Sequence, residues 1–172
     1  MAKLDEDREW LNVWPSFADI AVCAMILFLI YSLYLISMLP QQIRIGELTE
    51  KEKPLFATGR ADLSDDYKPV IDKMYEDIIE RPEWNNDKTW VVVVKGHTDN
   101  VPISGKYINN WELSSARALS VVDYLTKKGI PEKRIRAIGY GEHDPEVDHR
   151  KPTSEPKNRR IEVMLFKSDG RL

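Results

Sequence analysis

Two stretches of this 172-residue chain pair residue types that could hold a charged ligand, and a third places one acid where an ion could be carried. The first stretch is Gly96-His97-Thr98-Asp99-Asn100, and the second runs from Asn110 to Arg117. A guanidinium such as Arg117 presents a planar fork suited to a carboxylate, whereas a carboxylate such as Asp99 accepts from an ammonium. Together they would recognise the zwitterionic head of an amino acid. Taken singly, an Asp after Thr also reads as a turn residue and an Arg near a helix start as a solvated charge. The third feature is Asp19, flanked on its C-terminal side by an uncharged run from Ile20 to Leu39. A carboxylate at low dielectric has its pKa raised, so its protonated and charged forms can both be reached near neutral pH. That behaviour suits an ion carrier. The same residue closes a Ser16-x-x-Asp19 pattern after Pro15, which reads equally as a helix cap.

Other chemistries find little support. His97, His143 and His149 lack metal-ligand spacing, and His97 reads as a loop histidine. Cys23 is the only cysteine, so neither a disulfide framework nor a thiolate metal site forms within one chain. No catalytic constellation is legible, and an enzyme is not expected. With 25 basic and 28 acidic residues the chain offers no broad basic surface for nucleic acid.

The elements that must position these residues follow from periodicity. Ile20–Leu39 at about 1.5 Å per residue covers about 30 Å, the hydrocarbon thickness of a bilayer. An acidic start and a terminal Met38-Leu39-Pro40 argue for an uncleaved anchor over a signal peptide. The expected organisation is a short N-terminal segment 1–14, a membrane helix 15–39, a tether 40–54, a folded domain 55–167 and a tail 168–172. Cys23, Ile26, Ile30, Tyr34 and Ser37 share the helical face of Asp19, a polar and apolar mixture suited to packing against partner helices. Within the domain the pattern predicts strands at Phe56–Leu63, Trp90–Val94, Ile135–Tyr140 and Arg160–Phe166. Helices are expected from Ser64 or Asp65 to about Glu80, burying Val70, Met74, Ile78 and Ile71, and from about Trp111 to Lys128. Alternating strand and helix signals indicate a layered α and β structure.

The motifs GHTDNVP at 96–102, NNWELSSARALSVVDYL at 109–125, GYGEHDP at 139–145 and NRRIEV at 158–163, with FATGRADL at 56–63, resemble the OmpA-like peptidoglycan-binding domain. That resemblance implies an α+β fold, a mixed sheet with two main helices packed on it. It also implies that Asp99 and Arg117 hold the diaminopimelate of a peptidoglycan stem, with Asn110, Leu113 and Arg159 as further wall-contacting residues. One membrane span with an acid near its start, ahead of such a domain, is similar to the B subunits of MotB- and ZorB-type motors. The implied assembly is a dimer of this chain inside a pentameric, multi-span A subunit in the bacterial inner membrane, N-terminus in the cytoplasm. Asp19 would then be the ion-binding carboxylate, driven by a proton or sodium gradient with no cofactor. The acidic N-terminus and short tether depart from the pattern of flagellar stators, and the compact tether suits a ZorB-like defence motor, or another wall-linked motor, better. A passive membrane-to-wall anchor is the alternative.

Overall fold

The computed structural model describes residues 6–39, 41–50, 54–57, 59–148 and 155–168, with side chains from residue 17 onward. It divides into two compact units, Met1–Pro40 and Gln41–Leu172.

In the first unit, helix α1 spans Glu6–Met38 and contains an apolar segment, Phe17–Met38, of mean hydropathy 2.4. The segment is long enough to cross a bilayer. The helix begins well before residue 15, where a proline and a serine suggested its start. Proline ends a helix only where the lost N–H and the ring clash outweigh the rest of the ladder; here helical backbone continues through it. Asp19 therefore lies inside continuous helix, and the Ser16-x-x-Asp19 cap does not form.

The second unit is a four-stranded mixed sheet in the order β1-β4-β2-β3. Its strands are β1 (Gln42–Thr49), β2 (Trp90–His97), β3 (Ile135–Gly141) and β4 (Arg160–Lys167). β2 pairs parallel with β3 and antiparallel with β4, which in turn pairs antiparallel with β1. Helices α2 (Lys68–Ile79) and α4 (Asn110–Lys128) pack on the sheet, with a short α3 (Pro82–Asn86) between α2 and β2. The expected fold class is borne out.

Two elements differ from expectation. The tether placed at 40–54 is, over Gln42–Thr49, an edge strand of the sheet. Its register shifts between Arg44 and Gly46, so Ile43 and Ile45 fall out of step with Leu48, which is 2 % exposed. A bulge of this kind breaks the two-residue alternation by which a strand is read. Conversely, Phe56–Leu63 is not a strand. Its described residues fold back, closed by a bridge between Phe56 and Leu63, by Arg60 N–H donating to Ala57 O at 2.9 Å, and by Gly59 at φ 65°. In α2, Ile71, Met74 and Ile78 are buried as expected, but Val70 is exposed.

The core lies between the helices and the inner face of the sheet. Val92, Val94, Val121, Leu125, Ile71, Ile78 and Leu165 are fully buried there. The glycines of β2 and β3 set how closely α4 approaches. A Cβ at Gly96 would stand 2.2 Å from Ser114 O, and one at Gly139 would stand 2.1 Å from Ser115 Oγ. Only bare backbone lets the first turns of α4 rest on the strand ends, where the candidate site lies.

Candidate functional site

α4 is started by a reciprocal cap. Asn109 Oδ1 accepts from Glu112 N–H at 3.0 Å, and Glu112 Oε2 accepts from Ile108 N–H at 2.6 Å. With its start so held, Asn110, Leu113 and Arg117 recur at intervals of three and four on one face. β2 delivers Asp99 just beyond its last residue, where Thr98 N–H donates to Gly141 O at 2.8 Å. From the far end of the chain, buried Asn158 accepts from the N–H groups of Glu146 and Val147 and donates to Val147 O. This clamp sets the backbone from which Arg159 projects.

Asp99, Asn110, Leu113, Arg117 and Arg159 all line one cavity of about 410 Å³, together with Glu50, Phe56 and Thr98. Five side chains nominated from three motifs thus meet in space. Arg159 lies between two carboxylates, donating from Nη1 to Asp99 Oδ2 at 2.8 Å and from Nε to Glu50 Oε2 at 2.5 Å. Burial works against the charge on Arg159, but hydrogen bonds to Asp99 and Glu50 outweigh it and hold its pKa above the ordinary value. Arg117 is 5 % exposed. Its Nε donates to Arg60 O at 3.1 Å and its guanidinium carbon lies 4.9 Å from the centroid of the Phe56 ring. Burial lowers its pKa, opposed by the nearby charges of Glu50 and Asp99.

The arrangement is poised for a polar ligand. Two acids and two guanidinium groups balance within the cavity, and Arg117 Nη1 and Nη2 have no hydrogen-bond acceptor among the described residues. Thr98 Oγ1 and Asn110 Oδ1 are buried without a partner among those residues. Leaving such a group unsatisfied costs about 1–3 kcal/mol, a penalty that a ligand could relieve. Asn110 Nδ2 is already used, donating to Asp99 O, Val101 O and Glu142 Oε2.

Glu50 was not nominated from the sequence, because it falls in the stretch assigned to a tether. In the sequence nothing separates it from its neighbours Glu47 and Glu52. His97, expected in a loop, ends β2 and is 1 % exposed. It stacks on Tyr140 at 5.0 Å, with its ring nitrogens 3.7 Å from Asp144 and 3.8 Å from Glu162, and does not line the cavity. Asp19 belongs to the other unit and is exposed on the isolated helix.

A model of the OmpA family matches residues 55–159. Motility protein B of Bacillus subtilis is 29% identical over 121 residues, covering 69% of this chain and 44% of that protein. The chain spans about half the length of the curated relatives it matches. Among solved structures, a MotB-like protein from Desulfovibrio vulgaris superposes with a TM-score of 0.58 at 28% identity, covering 70% of this chain and 73% of that one. The cell wall anchor of the T6SS from Pseudomonas aeruginosa does so with a TM-score of 0.58 at 26% identity, covering 78% and 92%.

Proposed function

Since this chain belongs to the OmpA family, we propose that its cavity grips the peptide stem of peptidoglycan and that α1 ties this grip to an ion-driven motor in the inner membrane. The observation that carries the first half is the convergence of Asp99 and Arg117 in one cavity of balanced charge. The open fork of Arg117 would take the carboxylate of a diamino acid, and the Asp99 carboxylate, shared with Arg159, its ammonium. Asn110 and Leu113 would complete the polar and apolar walls. This is recognition without bond breaking, and it needs no cofactor.

The motor half rests on Asp19 and on the likeness to motility protein B. An acid near the start of the apolar segment of a continuous helix, with no capping duty, has a reason to be there if it faces a partner helix or a water path. In this reading two copies of the chain form an axle within a pentameric A-type partner, N-termini in the cytoplasm. Protons or sodium ions pass by way of Asp19 and turn the ring about the wall-held dimer. Each elementary charge crossing about 100 mV supplies about 2.3 kcal/mol, enough to bias a conformational step. The short span between α1 and β1 favours a ZorB-like defence motor over a flagellar stator.

A second reading is a passive wall anchor, favoured by the likeness to the secretion-system anchor. Asp19→Asn separates the two. The motor reading expects ion-driven work, measured with the A-type partner present, to vanish while retention on isolated peptidoglycan is unchanged; full work in the variant leaves the anchor. For the grip itself, Asp99→Ala and Arg117→Lys should each weaken muropeptide binding at least about tenfold by calorimetry, since a charged hydrogen bond contributes about 1.5–3 kcal/mol. Undiminished binding in both would remove the site assignment.

A further inference from the structure

Beside the cavity that holds Asp99 and Arg117 lies a second hollow of about 350 Å³, sharing Pro102, Ile103 and Asn110 with the first. Trp111 is on its wall. One face of the indole stacks on the His143 ring, with centroids 4.9 Å apart and planes inclined by 24°, yet the residue stays 49 % exposed. The stack fixes the orientation of the ring and leaves apolar surface toward solvent, next to an Ile108 that is 86 % exposed. Around this surface stand two polar groups with capacity to spare. Glu142 Oε2 accepts from Asn110, while Oε1 has no donor among the described residues. Asn109 Oδ1 serves the helix cap, while Nδ2 has no acceptor among them.

A flat aromatic face bordered by one amide donor and one carboxylate acceptor is complementary to a pyranose ring carrying hydroxyl and acetamido groups. The C–H face of the sugar lies on the indole, a hydroxyl donates to Glu142, and the acetyl carbonyl accepts from Asn109. In cell-wall polymer the peptide stem is joined to an amino sugar at its first residue. A stem seated in the first cavity can therefore carry its sugar into the hollow that adjoins it.

We propose that Trp111, backed by His143 and flanked by Asn109 and Glu142, forms a glycan subsite that binds the amino sugar of the strand whose peptide occupies the neighbouring cavity. The proposal rests on the reading of that cavity as the stem site. Its consequence is that the domain holds the junction of peptide and glycan, so a stem on an intact strand is preferred over a released peptide.

The test uses the full chain in detergent micelles, titrated calorimetrically with a stem tripeptide containing the diamino acid and with the same tripeptide on its disaccharide. The disaccharide form should bind about tenfold more tightly, the scale of one buried sugar face. Trp111→Ala should erase that advantage and leave tripeptide affinity unchanged, whereas Trp111→Tyr, which keeps a stacking ring, should retain most of it. Equal affinity of the unaltered chain for the two ligands overturns the subsite while leaving the stem site standing, as does an equal loss of both in Trp111→Ala. Failure of the unaltered chain to bind the tripeptide overturns the stem site and the subsite together.

Discussion

The ion pairs of the cavity form a chain in which each residue orients the next: Glu50 and Asp99 hold Arg159, and the charges of both acids face Arg117. Arg159 satisfies two carboxylates at once with a rigid fork, which a lysine cannot imitate. Arg159→Lys should therefore weaken muropeptide binding with little loss of fold. On the other side of β2, His97 is a different kind of buried group. Burial, with the Arg160 charge adding to it, lowers its pKa from 6.5 to about 4, against the pull of Glu162 and Asp144. The folded protein thus binds a proton at His97 less readily than the unfolded chain does. Stability from this source is fully present above about pH 6.5, falls as pH drops through the window down to about 4, and levels off below it, by up to about 3 kcal/mol. His97→Leu should flatten the denaturation midpoint across that window, as followed by urea titration at stepped pH. At this scale the residue types in the motifs spoke for themselves, since an Asp and an Arg name their complementary ligands. Glu50 did not, because one of three glutamates in a charged stretch has no distinguishing partner until the fold supplies Arg159.

The strands and helices were unequally legible. β2 declared itself through an unbroken run of four valines, β3 and β4 through short stretches rich in apolar residues, and α4 through a helical stripe with a Gly129 stop. β1 did not, because its bulge shifts the alternation between Arg44 and Gly46. The Phe56–Leu63 stretch misled in the opposite direction, since its turn residues sit among apolar ones. The seating of α4 on the sheet depends on Gly96 and Gly139, whose roles are set by side chains and backbone far away in sequence. Gly139→Ala forces a Cβ to 2.1 Å from Ser115 Oγ and 2.6 Å from Ser115 N. Because the contact includes backbone, α4 must shift. The expected cost is about 1–3 kcal/mol, read as a fall in melting temperature of several degrees, with muropeptide binding weakened as well.

For the molecule as a whole, the boundary between apolar helix and folded domain falls at residue 40 or 41 instead of near 54. A chain beginning at Gln41 keeps β1, buried Leu48 and the Glu50 partner of Arg159, and should unfold in one cooperative transition. A chain beginning at Pro54 exposes the edge of β4 and should melt lower, bind muropeptide weakly and aggregate more readily. The sequence by itself determined the apolar segment, the class of the domain and the residues able to hold a zwitterion, because hydropathy, periodicity and side-chain chemistry are local properties. Only the tertiary structure decided that Asp99, Asn110, Leu113, Arg117 and Arg159 share one cavity, that Glu50 joins them, and that Trp111 borders a second hollow. Those facts depend on strand order and on how closely a helix can approach a sheet, and distances between residues remote along the chain are written in packing, not in composition.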